Sequence, residues 1–419
     1  MMSIKKSKLA DALGPGLMMA AAAIGVSHLV QSTRAGADYG FALLWAVILA
    51  NFFKYPFLEF GPRYTVAAKE SLIEGYRRLG NYAILIFFVF TIGTMFAVQA
   101  AVTVVTASLA AEMTGIALTP LIWSAILLLI SILILISDKY SLLDNIVKIL
   151  MSVLAISTVI AVGTALVQGE YQTLSGIPSP DIWTLTGVGF IIALMGWMPI
   201  PVDAAAWHSL WAIEKNKLQG HDTGLKDALL DFNIGYIGAA LLAVFFLTLG
   251  AVIMYGSGVD FASSSAVFSS QLIQLYTASL GNWAYPVIII CAFTTMFSTT
   301  LFVTDAYPRV CRKFIQMYKP GFLKGNNSII YRFFLIAVSI FSLVLLALLG
   351  DQFRYLVDLA TTLSFLSAPV LAWLNHKLIH KPYIPQDCRP KPWLTWLSRS
   401  GILFLTVFAL IYIYWMVQF

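Results

Sequence analysis

The chain has 419 residues, of which 59% are hydrophobic and 11% are charged, and its formal net charge at pH 7 is +6. Soluble domains average about 25% charged residues, so this composition excludes an ordinary soluble globular protein. The positive charge does not indicate nucleic acid as a partner, because an excess of Lys and Arg is typical of the cytoplasmic loops of membrane proteins.

Apolar stretches long enough to cross a bilayer recur along the whole chain and predict an all-α membrane protein whose main partner is lipid. Eleven transmembrane helices are expected, forming one transmembrane domain over residues 1–419 with no extramembrane domain. The predicted helices cover residues 14–36, 40–68, 81–110, 119–137, 143–167, 183–212, 229–255, 283–304, 328–349, 353–375 and 396–417.

Basic and acidic residues alternate between successive connections, and this alternation indicates which side of the membrane each connection faces. The basic connections contain Arg77, Arg78, Lys139, Lys148, Lys215, Lys217, Lys226, Arg309, Arg312, Lys313, Lys319, Lys377, Lys381, Arg389 and Lys391. The opposite connections contain Asp38, Glu112, Glu170, Asp181, Asp260 and Asp351, with Arg354 as the main exception. The pattern predicts a cytoplasmic N-terminus and an outer C-terminus, in a bacterial inner membrane.

Two predicted helices contain interruptions, and they lie five helices apart. The first helix contains Gly25-Val26-Ser27-His28, and the sixth contains the segment from Met198 to Asp203 with prolines at 199 and 201. Proline removes a backbone donor and breaks a helix. Broken helices at matching positions are typical of an inverted repeat with a midplane binding site, so we expect repeats at 14–167 and 183–375 and an additional helix at 396–417. A simple proline kink in a channel or receptor is the alternative.

The first helix resembles the start of the Nramp family of divalent-metal transporters. That family reads Gly-Pro-Gly, eight apolar residues, Asp-Pro-Gly-Asn, Ala-Gly-Ala and then a Leu-Leu-Trp helix. Here Gly14-Pro15-Gly16 and Leu17 to Ile24 precede Gly25-Val26-Ser27-His28, and Ala35-Gly36-Ala37 and Leu43-Leu44-Trp45 follow. The frame is present and the metal-binding motif is not. The resemblance implies a LeuT-like fold of two inverted five-helix repeats with an eleventh helix appended.

The sixth helix is similar to the same family, which has Met-Pro-His followed by a His-Ser pair. This chain has Met198-Pro199 and His208-Ser209, with ten residues from Met to His instead of seven. Counting back from His208 puts Pro201 at the family's metal-binding Met, so the role of that Met is not carried over to Met198. The resemblance associates the position of His208 with a proton pathway, although Trp207 and Trp211 also suit a packing role there.

The residues at these motifs give little support to a divalent metal as the substrate. Such a cation normally needs carboxylates to compensate its charge in a low-dielectric site. Gly25 offers no side chain at the family's Asp position, and His28 stands at its Asn position. The third helix has no carboxylate where the resemblance implies an acidic proton route; Met95 and Val98 are the nearest counterparts.

Without those acids, the positive ends of the broken helices favour an anion. We therefore expect a secondary-active transporter of a small inorganic ion by alternating access, with a small oxyanion such as bicarbonate as the favoured substrate. The expected substrate-binding residues are Gly25, Val26, Ser27, His28, Pro199, Pro201 and Asp203.

Hydroxyl groups cluster on the eighth helix, at Thr294, Thr295, Ser298, Thr299 and Thr304. In LeuT-like transporters, hydroxyls of this helix and carbonyls of the first helix form a sodium site. The resemblance therefore makes Thr295, Ser298 and Thr299, together with Asp203, candidates for binding Na⁺ as a coupling ion. No other cofactor is expected. Interhelical hydrogen bonds, worth about 0.6–2 kcal/mol each, are the alternative role.

Four ionisable residues inside predicted helices keep more than one interpretation. Asp203 suits a coupling-ion ligand, a proton carrier or a helix N-cap. His28 suits an anion donor, a group that titrates near neutral pH or an interhelical hydrogen bond. Lys54 and Glu59 are five residues apart, which is too far for an ideal i,i+4 pair, and are expected to pair with another helix or to take part in gating.

Two other functions compete with anion transport. One is a divalent-metal transporter (Mn, Fe or Mg) with a site rebuilt from His28, Asp203 and Met198, and the other is a channel or a transport-dead sensor. An enzyme is not expected, because the sequence has no Ser-His-Asp constellation, phosphate-binding loop or HExxH motif. The three cysteines, at 291, 311 and 388, match no paired metal-ligand spacing.

Overall fold

The computed structural model describes residues 13–137, 140–167, 180–258, 261–262, 264–319, 327–349 and 352–418. Lys139, Glu170, Asp260 and Asp351, which contribute to the predicted orientation, lie outside these ranges, and the side chain of Lys148 is not described. The described part is all-helical, as predicted.

The described helices occur in the following chain order. They are α1 (Pro15–Ala23), α2 (Thr33–Tyr39), α3 (Leu44–Ala68), α4 (Leu72–Leu79), α5 (Asn81–Thr114), α6 (Pro120–Ile136), α7 (Tyr140–Val167), α8 (Leu185–Gly196), α9 (Ala204–Gln219), α10 (Leu225–Ile253), α11 (Ser265–Leu280), α12 (Tyr285–Tyr318), α13 (Asn327–Leu349), α14 (Phe353–Ile379) and α15 (Pro392–Gln418). A π-helical segment, Val26–Ser32, joins α1 to α2. Both predicted breaks are therefore present, the first between α1 and this segment and the second between α8 and α9.

Two helices and one helix end differ from the sequence-based prediction. α4 is amphipathic and is started by a capping box between Ser71 and Glu74, so it gives no apolar signal. α11 was not predicted either, and it starts with a Ser264 side-chain cap. α12 continues to Tyr318 instead of ending at 304, because its last turns project beyond the apolar stretch. Arg309, Arg312 and Lys313 therefore lie on a helix and not in a loop.

Seven helical segments of the described residues are long and apolar enough to cross a membrane. Their outward faces expose large apolar side chains, for example Leu85, Val89, Phe341 and Leu410, which is the arrangement that a lipid solvent requires. α3 is not among the seven and carries Lys54, Glu59 and Arg63. The chain is an integral membrane protein, while the count of eleven spans stays a prediction.

The first helix lies in the centre of the bundle, and the last lies at its edge. The most apolar part of Pro15–Tyr39 is 89% buried, compared with 17% for Pro392–Gln418. α10 packs along both halves of the first helix through small residues. A Cβ on Gly36 would lie 2.0 Å from the Leu247 carbonyl oxygen, and one on Gly250 would lie 2.2 Å from the Thr33 carbonyl oxygen. These helices approach at backbone-to-backbone distance, as small residues permit in membranes.

We expect Gly250→Ala to lower the detergent-solubilised melting temperature by several degrees. The added methyl group would collide with the Thr33 carbonyl, and overpacking costs about 1–3 kcal/mol. Gly238→Ala on the same helix is the control, because a Cβ there meets nothing within 4 Å and alanine favours a helix by about 1 kcal/mol. Equal melting temperatures for the two variants would contradict the close approach of α10 to α2.

Candidate functional site

The first break is built around Gly25. α1 ends at Ala23, and the Gly25 N–H donates to the Ala23 carbonyl at 2.8 Å before the π-helical segment begins. A Cβ on Gly25 would lie only 2.6 Å from Thr299 Oγ1. The absence of a side chain therefore lets α12 approach the unwound backbone, which explains why glycine occupies this position.

Two prolines cause the second break, and a buried lysine binds the carbonyl groups that the break leaves unpaired. Pro199 and Pro201 have no N–H groups and interrupt the helix between Gly196 and Ala204. The Lys54 ammonium, fully buried on α3, donates to the Gly196 carbonyl oxygen at 2.8 Å and to the Ile200 carbonyl oxygen at 3.3 Å. These carbonyls have lost their helical partners, and a cation at a helix C-terminus is electrostatically favourable.

A small central cavity lies between the two breaks. It is bounded by the first helix, α5, the second break, α9 and α12. The described residues that line it include no carboxylate, imidazole or thiol. They are Ala22, Ala23, Val26, Ser27, Val98, Val102, Trp197, Pro199, Ile200, Pro201, Trp207, Thr299 and Val303.

Oxygen atoms of the first helix and α12 meet around Thr299, which lines this cavity. Thr299 Oγ1 lies 2.9 Å from the Ala21 carbonyl oxygen, 3.5 Å from that of Ile24 and 3.2 Å from that of Thr295. Ser298 Oγ lies 2.7 Å from the Thr295 carbonyl oxygen. We call these five oxygens the oxygen cluster. The Thr295 hydroxyl is buried and has no hydrogen-bond partner among the described residues.

Only some of the predicted substrate residues line the cavity. Val26, Ser27, Pro199 and Pro201 do, as expected for the two breaks. His28 does not, because the π-helical segment directs its ring toward α10. There Nε2 lies 2.8 Å from the Ala239 carbonyl oxygen, while Nδ1 lies 2.7 Å from Ser27 Oγ. Both ring nitrogens are thus engaged in structural contacts.

The predicted rebuilt metal site is not assembled. Met198 is buried outside the cavity lining, with its sulfur 4.0 Å from Ser32 Oγ. Asp203 stands at the N-cap of α9, and its side chain makes no capping hydrogen bond. No group of three or more His, Cys, Asp or Glu residues that could hold a metal occurs among the described residues.

The start of α9 offers fewer free donors than the sequence predicts. The N–H groups of Ala204, Ala205 and Ala206 donate to the carbonyls of the three residues from Pro201 to Asp203, at 3.1, 3.2 and 2.9 Å. These tight turns satisfy the first amides of the helix. An anion in the cavity must therefore find side-chain donors or other amides.

Asp203 interacts electrostatically with Lys54 across the second break, without a direct ion pair between the two side chains. Both side chains are buried. Glu59 pairs instead with Arg63 on its own helix, and Arg63 also donates to the carbonyls of Cys388 and Arg389. The i,i+4 spacing of Glu59 and Arg63 is visible in the sequence and predicts this pair.

His208 lies beside a second small cavity near the predicted inner end of the bundle. Its ring is buried, and neither nitrogen has a hydrogen-bond partner among the described residues. Asp231 also lines this cavity and accepts the N–H groups of Gly14 at 2.9 Å and Gly16 at 2.7 Å. This carboxylate fixes the start of α1 against α10 and closes the inner end.

A network of ion pairs, not identified from the sequence, closes the predicted outer end. Arg34 donates through Nη1 to both Asp358 carboxylate oxygens at 2.9 Å and through Nε to Asp38 at 3.2 Å. Gln31 donates to the same Asp358 at 3.1 Å, and Arg354 reaches Asp38 at 3.4 Å. The network ties the first helix to α14. The sequence does not predict the contact of Arg34 with Asp358, because 324 residues separate them.

Comparisons with known proteins agree with this fold. The family model described as "Natural resistance-associated macrophage protein-like" matches residues 16–415. An uncharacterized protein of Pasteurella multocida is 37% identical over 407 residues, covering 96% of this chain and 92% of that protein.

Two solved structures share the architecture. A manganese transporter of Eremococcus coleocola, in complex with an aromatic bis-isothiourea substituted compound, superimposes with a TM-score of 0.72 at 16% identity. That match covers 98% of this chain and 87% of the other. MhsT in complex with L-phenylalanine gives a TM-score of 0.66 at 14% identity and covers 98% of each chain. At these identities the likeness concerns the fold, which is LeuT-like.

We expect Asp358→Asn to open the outer path, because Arg34 would lose a bidentate carboxylate partner. In a background without native cysteines, Val26→Cys should react severalfold faster with a membrane-impermeant thiol reagent added outside. The charge-swapped pair Arg34→Asp with Asp358→Arg should restore slow labelling. Unchanged labelling in Asp358→Asn would mean that the ion pair does not close the cavity.

Proposed function

The chain belongs to the Nramp family of transporters, and from this premise we propose that it moves a small monovalent oxyanion together with a sodium ion. Bicarbonate is the substrate to test first. The transport is secondary-active and proceeds by alternating access around the central cavity. In this proposal the protein lies in a bacterial inner membrane, with its N-terminus in the cytoplasm and its C-terminus outside.

The charges around the cavity carry the proposal. Lys54 and Asp203 are both buried at the second break and interact electrostatically, and as an ionised pair their charges sum to zero. A divalent cation would add two charges that no described lining residue compensates. Uncompensated charge in a low-dielectric site is costly. One sodium ion and one monovalent anion together add no net charge.

The oxygen cluster supports sodium as the coupling ion. Unwound carbonyls are a recurring part of Na⁺ sites in transporters with broken helices. Here the carbonyls of Ala21 and Ile24 face the hydroxyl of Thr299 from α12. None of the five oxygens belongs to a carboxylate, which suits a monovalent cation better than a divalent one. Asp203, also expected as a sodium ligand, is better placed in this proposal as the counter-charge of Lys54.

A divalent-metal transporter is the second candidate, and the fold of the manganese transporter from Eremococcus coleocola favours it. The arrangement of side chains does not add support. His28 is hydrogen-bonded away from the cavity, and neither Asp203 nor Met198 lines it. A metal would require these side chains to move into the cavity together.

In proteoliposomes with an inward sodium gradient, we expect labelled bicarbonate to accumulate above its equilibrium level, whereas labelled manganese does not. The physical reason is that only the first pair of ions keeps the buried site neutral. Initial uptake should fall at least tenfold when choline replaces sodium. Empty liposomes measure the passive entry of carbon dioxide and bicarbonate.

Each alternative gives a different result in the same assay. Manganese uptake without bicarbonate uptake would overturn the anion proposal. Equilibration without accumulation would indicate a channel, and ligand-induced stabilisation without flux would indicate a sensor.

We expect Thr299→Val to raise the sodium concentration for half-maximal uptake by about tenfold or more. It removes one oxygen ligand while keeping the β-branched shape. Thr304→Val is the matched control on α12, because the Thr304 hydroxyl donates to the Thr300 carbonyl at 2.6 Å and lies outside the oxygen cluster. The same sodium dependence in both variants would exclude Thr299 as a ligand.

A further inference from the structure

We propose that the indole N–H of Trp207 recognises an oxygen atom of the substrate in the central cavity. This inference rests on the proposed anion transport and adds a residue that determines specificity. The position of Trp207 on the cavity wall comes from α9, which starts directly after the second break.

The hydroxyl groups of the cavity wall already have protein acceptors. Ser27 Oγ donates to the Ala23 carbonyl at 2.6 Å and also lies near Pro199 O and His28 Nδ1. Thr299 Oγ1 donates toward Ala21 O and Thr295 O. A hydroxyl has a single hydrogen, so these two groups offer mainly lone pairs to a ligand. Lone pairs suit a cation and not an anion.

Two tryptophans line the cavity, and their N–H groups differ. Trp197 Nε1 donates to Ser364 Oγ on α14 at 2.8 Å. Trp207 Nε1 is buried and has no hydrogen-bond partner among the described residues, and the residue is only 1% exposed. Among the described side chains that line the cavity, Trp207 therefore holds the donor that remains uncommitted.

An unpaired N–H in a buried site is costly, and the cost is removed when an acceptor binds. The indole nitrogen is a donor only, so it cannot coordinate a metal or sodium ion. Hydrogen bonds to charged acceptors are about twice as strong as neutral ones. The chemistry of Trp207 thus selects a ligand with a negatively charged oxygen.

The ring of Trp207 is held in place by its neighbours. It meets the ring of Tyr307 edge-to-face, with centroids 5.1 Å apart and an interplanar angle of 77°. An aromatic ring fixed in this way loses little conformational entropy when it binds. Trp207 on α9 and Thr299 on α12, which belongs to the oxygen cluster, line the same cavity from different helices. This arrangement places an anion beside the sodium ion and lets each ion compensate the other.

The test compares bicarbonate uptake by Trp207→Phe, Trp211→Phe and the unmodified protein at saturating sodium. Trp207→Phe should raise the KM for bicarbonate by about tenfold or more, because a hydrogen bond to a charged group is lost. Trp211→Phe removes an indole N–H from the same helix that donates to Asp305 at 3.1 Å outside the cavity. It should lower the melting temperature and leave KM within about twofold.

If the Trp207→Phe protein does not fold, a second substitution tests the same hydrogen bond. Benzothienylalanine at position 207, introduced by codon suppression, keeps the ring and replaces N–H by sulfur. It should raise KM by the same factor. An unchanged KM for bicarbonate in either folded variant would overturn the role of Trp207 and leave anion transport intact.

Failure of the proposed function is visible separately, in the unmodified protein. If the unmodified protein takes up manganese and not bicarbonate, both proposals are overturned, because an N–H donor has no role in binding a cation.

Discussion

The buried ammonium of Lys54 is the interaction on which the arrangement of the cavity depends. It donates to two carbonyls that the second break leaves without helical partners, and so it stabilises the end of α8 where two prolines interrupt the chain. The ammonium itself does not line the cavity. Asp203 offsets its charge without touching it. The site is therefore neutral before any ion enters, which constrains what it can bind.

The positions of the breaks follow from the same local chemistry. Gly25 permits Thr299 to approach the unwound first helix, and the prolines at 199 and 201 prevent α8 from continuing into α9. The break in the first helix exposes carbonyls to α12. The break before α9 places Trp207 on the cavity wall. Ion pairs around Arg34 tie the first helix to α14 at one end, and the Asp231 carboxylate holds the start of α1 at the other. The fold thus holds a small, mostly apolar cavity between these two polar clusters.

The fold could be predicted from the sequence to a large extent. Apolar periodicity, the Gly-Pro-Gly frame and the Pro199-Ile200-Pro201 run predicted an all-helical membrane protein with two breaks, and the structure and the family match confirm it. Short helices such as α4 were missed because capping, and not apolar length, defines them.

The site was less predictable than the fold, because its contacts join residues that are far apart in the chain. The position of His28 in the interrupted first helix suggested that it faces the substrate, yet a π-helical turn directs it toward Ala239. The sequence also does not indicate that the N–H of Trp207 is free. Trp197 has a hydrogen-bond partner only because Ser364, which is distant in the chain, lies beside it.

The net charge of the transported cargo tests this account most directly. Initial uptake would be measured in proteoliposomes at zero potential and at an inside-negative potassium diffusion potential set with valinomycin. A neutral pair of ions predicts equal rates, because the potential does no work on it. One net positive charge gains about 2.3 kcal/mol per 100 mV, so a severalfold acceleration would mean that positive charge enters and would contradict the account.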